Sequence, residues 1–385
     1  MLRYLPLVLK SCWRNRRRTT LTVLSVAASL SLLGVLMAIY HAFYLSDPTP
    51  EQALRLAVRH RVSLVFTMPE SYGQKIRQIP GVKEVMMQNW FGGVYKDRRP
   101  ENLFARFMIE SDRIFAIRPE IQVSEEQKKA FQRDRRGALM SRPLADRLGI
   151  KPGDRFTLQG DIFPGSYEFT LRAVFDSPDA ADLMYFDRKY VEEGLIAYRR
   201  GNVGMFAVLA ETPEAVPRIA RAIEDEFRNS PVAVKAEPER QFQLGFINSL
   251  GNVKMFLLSI CAAVTFTVLL VTANTMAMSA RERVREVGIL KTLGFTRETI
   301  LGLILGEAAL VAATGGLIGL LLASALCAVV RQAPAFFTPL KTLMVPAPVA
   351  LGCLGVAVAV GLVSAFTPAW GAARIPIVEE LRAEE

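Results

Sequence analysis

Apolar and polar positions along this chain fall into two regimes. In four stretches, residues 21–44, 255–280, 300–330 and 342–373, charge is absent except for Glu307 in the third. A helix rises 1.5 Å per residue, so about 20 residues cover the roughly 30 Å hydrocarbon core of a bilayer. Each stretch is long enough, and spans are expected at 21–44, 255–278, 300–330 and 346–371. The first exceeds the apolar run of a cleaved signal peptide and lacks a small-x-small cleavage site after Tyr40, so an uncleaved signal anchor is expected.

The second regime, residues 45–240, has short apolar runs separated by turn residues. Strands are expected at 62–67, 104–109, 137–140, 156–158, 169–175 and 205–209, with turns at Pro80-Gly81, Gly92-Gly93 and Pro152-Gly153. Helical periodicity is clearest over 214–227, where Val216, Ile219, Ile223 and Phe227 share a face. Strand, helix, strand around 205–234 predicts half of a split βαβ unit. A helical stalk over 241–254 leads into the second span. The expected fold is an α-helical membrane protein of four transmembrane helices with a mixed α/β (α+β) extracytoplasmic domain inserted between the first and second.

Composition agrees with this division: 385 residues are 51% hydrophobic and 22% charged, with a mean hydropathy of +0.24. The net charge of +10 raises nucleic acid as a partner, and its placement argues against it. Residues 47–250 hold 31 Lys+Arg against 29 Asp+Glu, a balance of +2 that leaves +8 for the rest. Arg3, Lys10, Arg14, Arg16, Arg17 and Arg18 supply six of those within the basic segment 1–20, which contains no acid. The loop between the third and fourth spans, 331–345, has only Arg331 and Lys341. Basic residues favour the cytoplasmic side, so both termini are expected inside a bacterial inner membrane, with the inserted domain outside.

The chemistry of common enzymes is missing from the sequence. No GxxxxGK[ST] phosphate loop occurs, and His41 and His60 are the only histidines, which removes HExxH zinc sites and disfavours a Ser-His-Asp triad. His41 stands beside Tyr40, Phe43 and Tyr44, an arrangement that an interfacial aromatic belt explains. Asp134 with Arg133, Arg135 and Arg136 reads as solvated surface charge. Cys12, Cys261, Cys327 and Cys353 all lie in or beside membrane segments, so the inserted domain has no disulfide framework and no CxxC metal pair exists.

One connection is richer than an anchoring turn requires. Residues 279–299 link the second and third spans and carry Arg281, Arg283, Val284, Arg285, Glu286, Val287, Gly288, Leu290, Lys291 and Gly294. Residues 279–293 predict a short helix, Gly294 its terminator and Thr296 the cap of the next helix. Charged side chains are expected to be exposed beside Val284, Val287 and Leu290. An ordinary positive-inside turn needs a few Lys or Arg but not Glu282, Glu286 and an apolar set.

With Asn274 and Ser279, this segment resembles the signature loop of the FtsX-like permeases, the MacB, LolC/LolE and FtsX group of ABC-transporter membrane subunits. Residues 137–158 resemble the strand, small helix, GD turn and strand of the MacB-type outer domain, and Ile79-Pro80-Gly81-Val82 extends the likeness. The resemblance implies a coupling helix that docks on a separate ATPase subunit, which would hold the ATP and Mg, while this chain binds no cofactor. It also implies a second permease copy or a paralogue, with a periplasmic adaptor or outer-membrane component as a further partner, and no metal, catalytic residue or nucleic acid. Export of a substrate, or its extraction from the periplasm or outer leaflet, is the function implied. An FtsX-like regulator of an external cell-wall hydrolase and an ATPase-independent sensor or scaffold stand as alternatives.

Two intramembrane features bear on mechanism. Glu307 lies about two turns inside the third span, where an ionised carboxylate cannot face lipid cheaply, so it must face protein, water or a basic partner. Gly302-xxx-Gly306 and Gly315-xxx-Gly319 offer surfaces for close helix packing, within the subunit or between two. The tail 372–385 again resembles the family where its last span ends.

Overall fold

A computed structural model describes residues 16–177, 182–196, 199–249, 251–282, 284–332 and 343–374. The chain separates into a helical unit, up to Leu45 and again from Asn252, and an α/β unit over Ser46–Gly251. Numbering the helices of seven residues or more, the order begins α1 (Arg16–Tyr40), β1 (Arg55–His60), β2 (Met68–Pro69), α2 (Ser71–Arg77), β3 (Val82–Trp90) and β4 (Ala105–Ile109). It continues α3 (Glu125–Arg133), β5 (Gly137–Ser141), α4 (Arg142–Leu148), β6 (Arg155–Gly160), β7 (Gly165–Phe175) and β8 (Leu183–Asp187). Then come β9 (Asn202–Val203), β10 (Met205–Ala210), α5 (Val216–Glu226), β11 (Val234–Pro238) and α6 (Glu239–Ser249). The chain closes with α7 (Val253–Glu282), α8 (Val284–Thr292), α9 (Arg297–Gln332) and α10 (Ala347–Arg374).

In the α/β unit nine strands form one sheet in the order β11-β1-β10-β3-β4-β8-β5-β7-β6, and β2 pairs with β9 separately. The first four are antiparallel neighbours. With α2 joining β1 to β3 and α5 joining β10 to β11, they make a complete split βαβ unit of order 4-1-3-2. The half expected around 205–234 is its second half. Everything from β4 to β8 is inserted between its second and third strands, and β3 hands the sheet on to β4 through Gln88↔Ile109, Asn89↔Met108 and Trp90↔Phe107.

Three clusters form the core of this unit, one of which joins Met86, Ala207 and Leu209 of the split βαβ strands to Ile117, Phe131, Leu139 and Phe175 of the inserted lobe. Val216, Ile219 and Ile223 of α5 pack with Tyr72 and Ile76 of α2 over Val58, Phe206 and Val208. Each such apolar side chain stabilises by about 1.5–3 kcal/mol on full burial. The inserted lobe is centred on Phe91, Phe104, Phe169 and Phe186. Its strand, helix and turn over 137–158 are present: α4 ends at Gly149 in the left-handed region with φ 68°, and β6 follows.

One expected strand is displaced. Residues 61–67 form a loop, with Val62 77% and Val65 86% exposed, while the strand is Arg55–His60 just before them. Its partners decide this, because β10 pairs with it only as far as Arg59↔Met205 and β11 as far as His60↔Val234. The charged group at 133–136 is surface charge, but paired: Asp134 accepts from Arg172 Nε at 2.7 Å, and Arg135 pairs with Glu193.

Among the described residues, four helices are long and apolar enough to cross a membrane, over Thr19–Leu45, Val253–Thr275, Arg297–Gln332 and Ala347–Gly371. The core of the helical unit joins Val26, Leu30 and Leu33 of α1 to Cys261 of α7 and to Cys353 and Ala357 of α10. The aromatic cluster at the end of the first span lies in a π-helical turn, His41–Leu45, with the Tyr40 and Tyr44 ring centroids 5.3 Å apart. The loop residues 333–342 and the tail from 375 onward lie outside the described residues.

Candidate coupling segment between the second and third spans

The helix of the second span does not stop at the membrane-length run but continues to Glu282. Residues 279–282 are thus helical, as are those of α8, Val284–Thr292. Its end has the form the sequence predicts. Gly294 takes φ 86°, a left-handed conformation that favours glycine, and the Phe295 N–H donates to the Leu290 carbonyl at 3.0 Å. The Leu293 N–H donates to the Ile289 carbonyl at 3.1 Å. Thr296 then caps α9: its hydroxyl accepts from the Thr299 N–H at 3.3 Å, and Glu298 sits in the first turn, where the helix dipole favours an acid.

The helix packs against α7 and α10, which gives it an inward and an outward face. Val287 is 4% exposed and Gly288 is buried. Val287 therefore supports the bundle and does not belong to an exposed docking face, contrary to the sequence expectation. Leu290 and Lys291 are half-buried, while Ile289 is 51% and Leu293 70% exposed. These two, four residues apart on one side of the helix, are the apolar pair that the sequence reading passed over. No spacing within the segment set them apart, since Leu293 stands three residues from Leu290 just as Leu290 does from Val287. Arg283 lies outside the described residues, and for Arg281, Val284, Arg285 and Glu286 the backbone alone is described.

The intramembrane residues divide similarly. Glu307 is 6% exposed in α9 and so faces protein, as the cost of a lipid-facing carboxylate requires. Asn274 is exposed near the end of α7. Gly315 and Gly319 lie against α1 of the same chain, where a Cβ at Gly315 would come 2.8 Å from Val26 Cγ1. That pair serves packing within the subunit. Gly302 is buried and Gly306 half-buried. Among the described residues no group of His, Cys, Asp and Glu could hold a metal ion.

Four apolar helices with an α/β domain between the first two define a multi-pass membrane protein. Residues 258–377 match the FtsX-like permease C-terminal family. The chain is 40% identical over 111 residues to a macrolide export ATP-binding/permease protein MacB of Azoarcus sp., a match that takes in 29% of this chain and 16% of that relative. It is 22% identical to an uncharacterized ABC transporter permease of Methanocaldococcus jannaschii across 97% of this chain and 96% of the other. The periplasmic region of MacB from Actinobacillus actinomycetemcomitans aligns with 53% of this chain and 97% of its own length, at 8% identity and a TM-score of 0.38. These likenesses support the FtsX-like permease C-terminal family for residues 258–377.

Proposed function

We propose that this chain is the membrane subunit of a bacterial ABC transporter that receives the motion of a separate ATPase through α8 and delivers it to the extracytoplasmic α/β domain. The single observation that carries this reading is the exposed pair Ile289 and Leu293 on a capped helix between two spans. These two large apolar side chains on a basic connecting segment are left uncovered by the chain itself, and a groove in a partner protein would cover them. The basic residues at 281, 283, 285 and 291 favour the cytoplasmic side for the same segment, and the basic N-terminal run favours it for α1. The α/β domain then lies outside the inner membrane, and ATP and Mg belong to the partner, because these 385 residues contain no phosphate loop. A second permease copy completes the assembly, and the substrate is moved from the periplasm or outer leaflet.

Affinity purification of the tagged full chain tests this. An ABC ATPase should co-purify, and hydrolysis should follow the ATPase and be absent from the chain alone. Stoichiometric ATP hydrolysis by this chain without a partner would overturn the proposal.

A further inference from the structure

Four charges are gathered where the chain enters and leaves the α/β domain. Arg55, the first residue of β1, is 2% exposed, and Glu239, the first residue of α6, is 9% exposed. The pair lies next to Leu56 and Pro238, the last opposed residues of β1 and β11. Arg55 Nε donates to Glu239 Oε2 at 2.5 Å, and Arg118 Nη2 donates to the other oxygen, Oε1, at 2.5 Å. Glu120 closes the ring, 2.9 Å from Arg55 Nη1 and 3.5 Å from Arg118 Nη1. A second tie lies beside it, where Arg240 Nη2 donates to Ser46 Oγ at 3.4 Å.

The members come from three separate parts of the domain. Arg55 belongs to the entry strand, Glu239 to the stalk helix, and Arg118 with Glu120 to the inserted lobe. Helix α6 itself packs on the helical turn Pro50–Ala53, on β1 and on β11. The quartet extends its reach to the inserted lobe. Stability alone does not explain such an arrangement, because well-packed apolar residues commonly hold a buried site as firmly as an ion pair does. What charges add is direction: each Glu239 oxygen is held by a different guanidinium, so the start of α6 is fixed in orientation as well as position.

We infer that Arg55, Arg118, Glu120 and Glu239 form the joint by which movement of the stalk helix α6 is passed to the inserted lobe. Arg118 and Glu120 are thus positioning residues, and the inference rests on the proposed role of this chain as a transmitter of motion. Helix α6 precedes α7 in the chain, so displacement of the second span is passed along α6 to its far end at Glu239. Through Arg118 and Glu120 the same displacement reaches a lobe inserted in sequence between β3 and β10.

Pulsed electron resonance on the full chain in lipid nanodiscs tests the joint without the ATPase. Nitroxides on p-acetylphenylalanine at the exposed positions Gln243 of α6 and Lys151 of the inserted lobe report how firmly the two are held. The wild type should give one narrow distance. Glu239→Gln should at least double the width, and Arg118→Lys, which keeps the charge but loses the planar fork, should widen it less. Widths equal to wild type in both Glu239→Gln and Arg118→Lys would overturn the inference. If Glu239→Gln fails to fold, Arg118→Lys alone decides. A nucleotide-dependent change in the mean distance, measured with the ATPase present, tests the functional reading, and its failure leaves the width result standing.

Discussion

Gly319 of α9 meets the backbone of Ala27 in α1 so closely that a Cβ on the glycine would lie 2.7 Å from the Ala27 carbonyl oxygen. The obstacle is main chain and cannot rotate aside. Gly319→Ala should therefore separate α1 from α9 and destabilise the bundle by about 1–3 kcal/mol, the usual range for overpacking. Gly352→Ala, at a position with nothing within 4 Å, serves as the control. Thermal denaturation of the full chain in detergent should show a lower midpoint for the first and an unchanged one for the second.

The two faces of α8 should separate by phenotype. Val287→Asp buries an unpaired carboxylate, so expression and melting temperature should fall. Leu293→Asp and Ile289→Asp alter exposed positions, and folding stability should change by less than about 0.5 kcal/mol. Co-purification of an ATPase should nevertheless drop sharply for these two. Full ATPase recovery with both would leave α8 as a membrane anchor.

Acid should loosen the quartet. Burial alone would raise the pKa of Glu239, but Arg118 and then Arg55 outweigh it and hold the carboxyl at about 2, below its ordinary 4.5. A carboxyl with a lower pKa folded than unfolded stabilises above its unfolded value, and that contribution disappears as pH falls from about 4.5 towards about 2. Melting temperature of the full chain should decline through this window, and Glu239→Gln should flatten that part of the profile. Glu239→Ala leaves two buried guanidiniums underpaired and should cost about 3–5 kcal/mol at neutral pH.

Arg106 holds the turn that begins at Gly92. It is 3% exposed, donates to the carbonyls of Gly93 at 2.8 Å and Asn102 at 3.2 Å, and lies 4.0 Å from the Phe104 ring centroid. Burial lowers its pKa to about 10, a sign of how little water reaches it. Arg106→Met fills the volume but leaves those carbonyls without their donor. Hydrogen exchange should quicken over residues 92–104 and stay unchanged in α5.

Membrane orientation is open to a direct check. Cysteines placed at Asp134 or Lys151 should react with an impermeant reagent added to spheroplasts, and cysteines at Arg16 or Thr292 should not. Labelling of position 292 from outside would place α8 on the wrong side for an ATPase.

What the sequence determined by itself was local. Charge-free runs long enough for a bilayer marked the four spans, because a buried ion in hydrocarbon is costly wherever the helix sits. The Gly294 terminator and Thr296 cap were legible because backbone conformation and a hydroxyl three residues from its donor are short-range matters. The face of α5 followed from the spacing of Val216, Ile219 and Ile223. Tertiary structure decided what depends on partners distant in the chain. Residues 62–67 are apolar enough for a strand but find no strand to pair with, whereas the more polar Arg55–His60 lies between β10 and β11. The inward side of α8 was fixed by α7 and α10, which no periodicity within nine residues identifies. Arg55 and Glu239 stand 184 positions apart in sequence, and only the closing of β11 onto β1 turns two ordinary surface residue types into a buried joint.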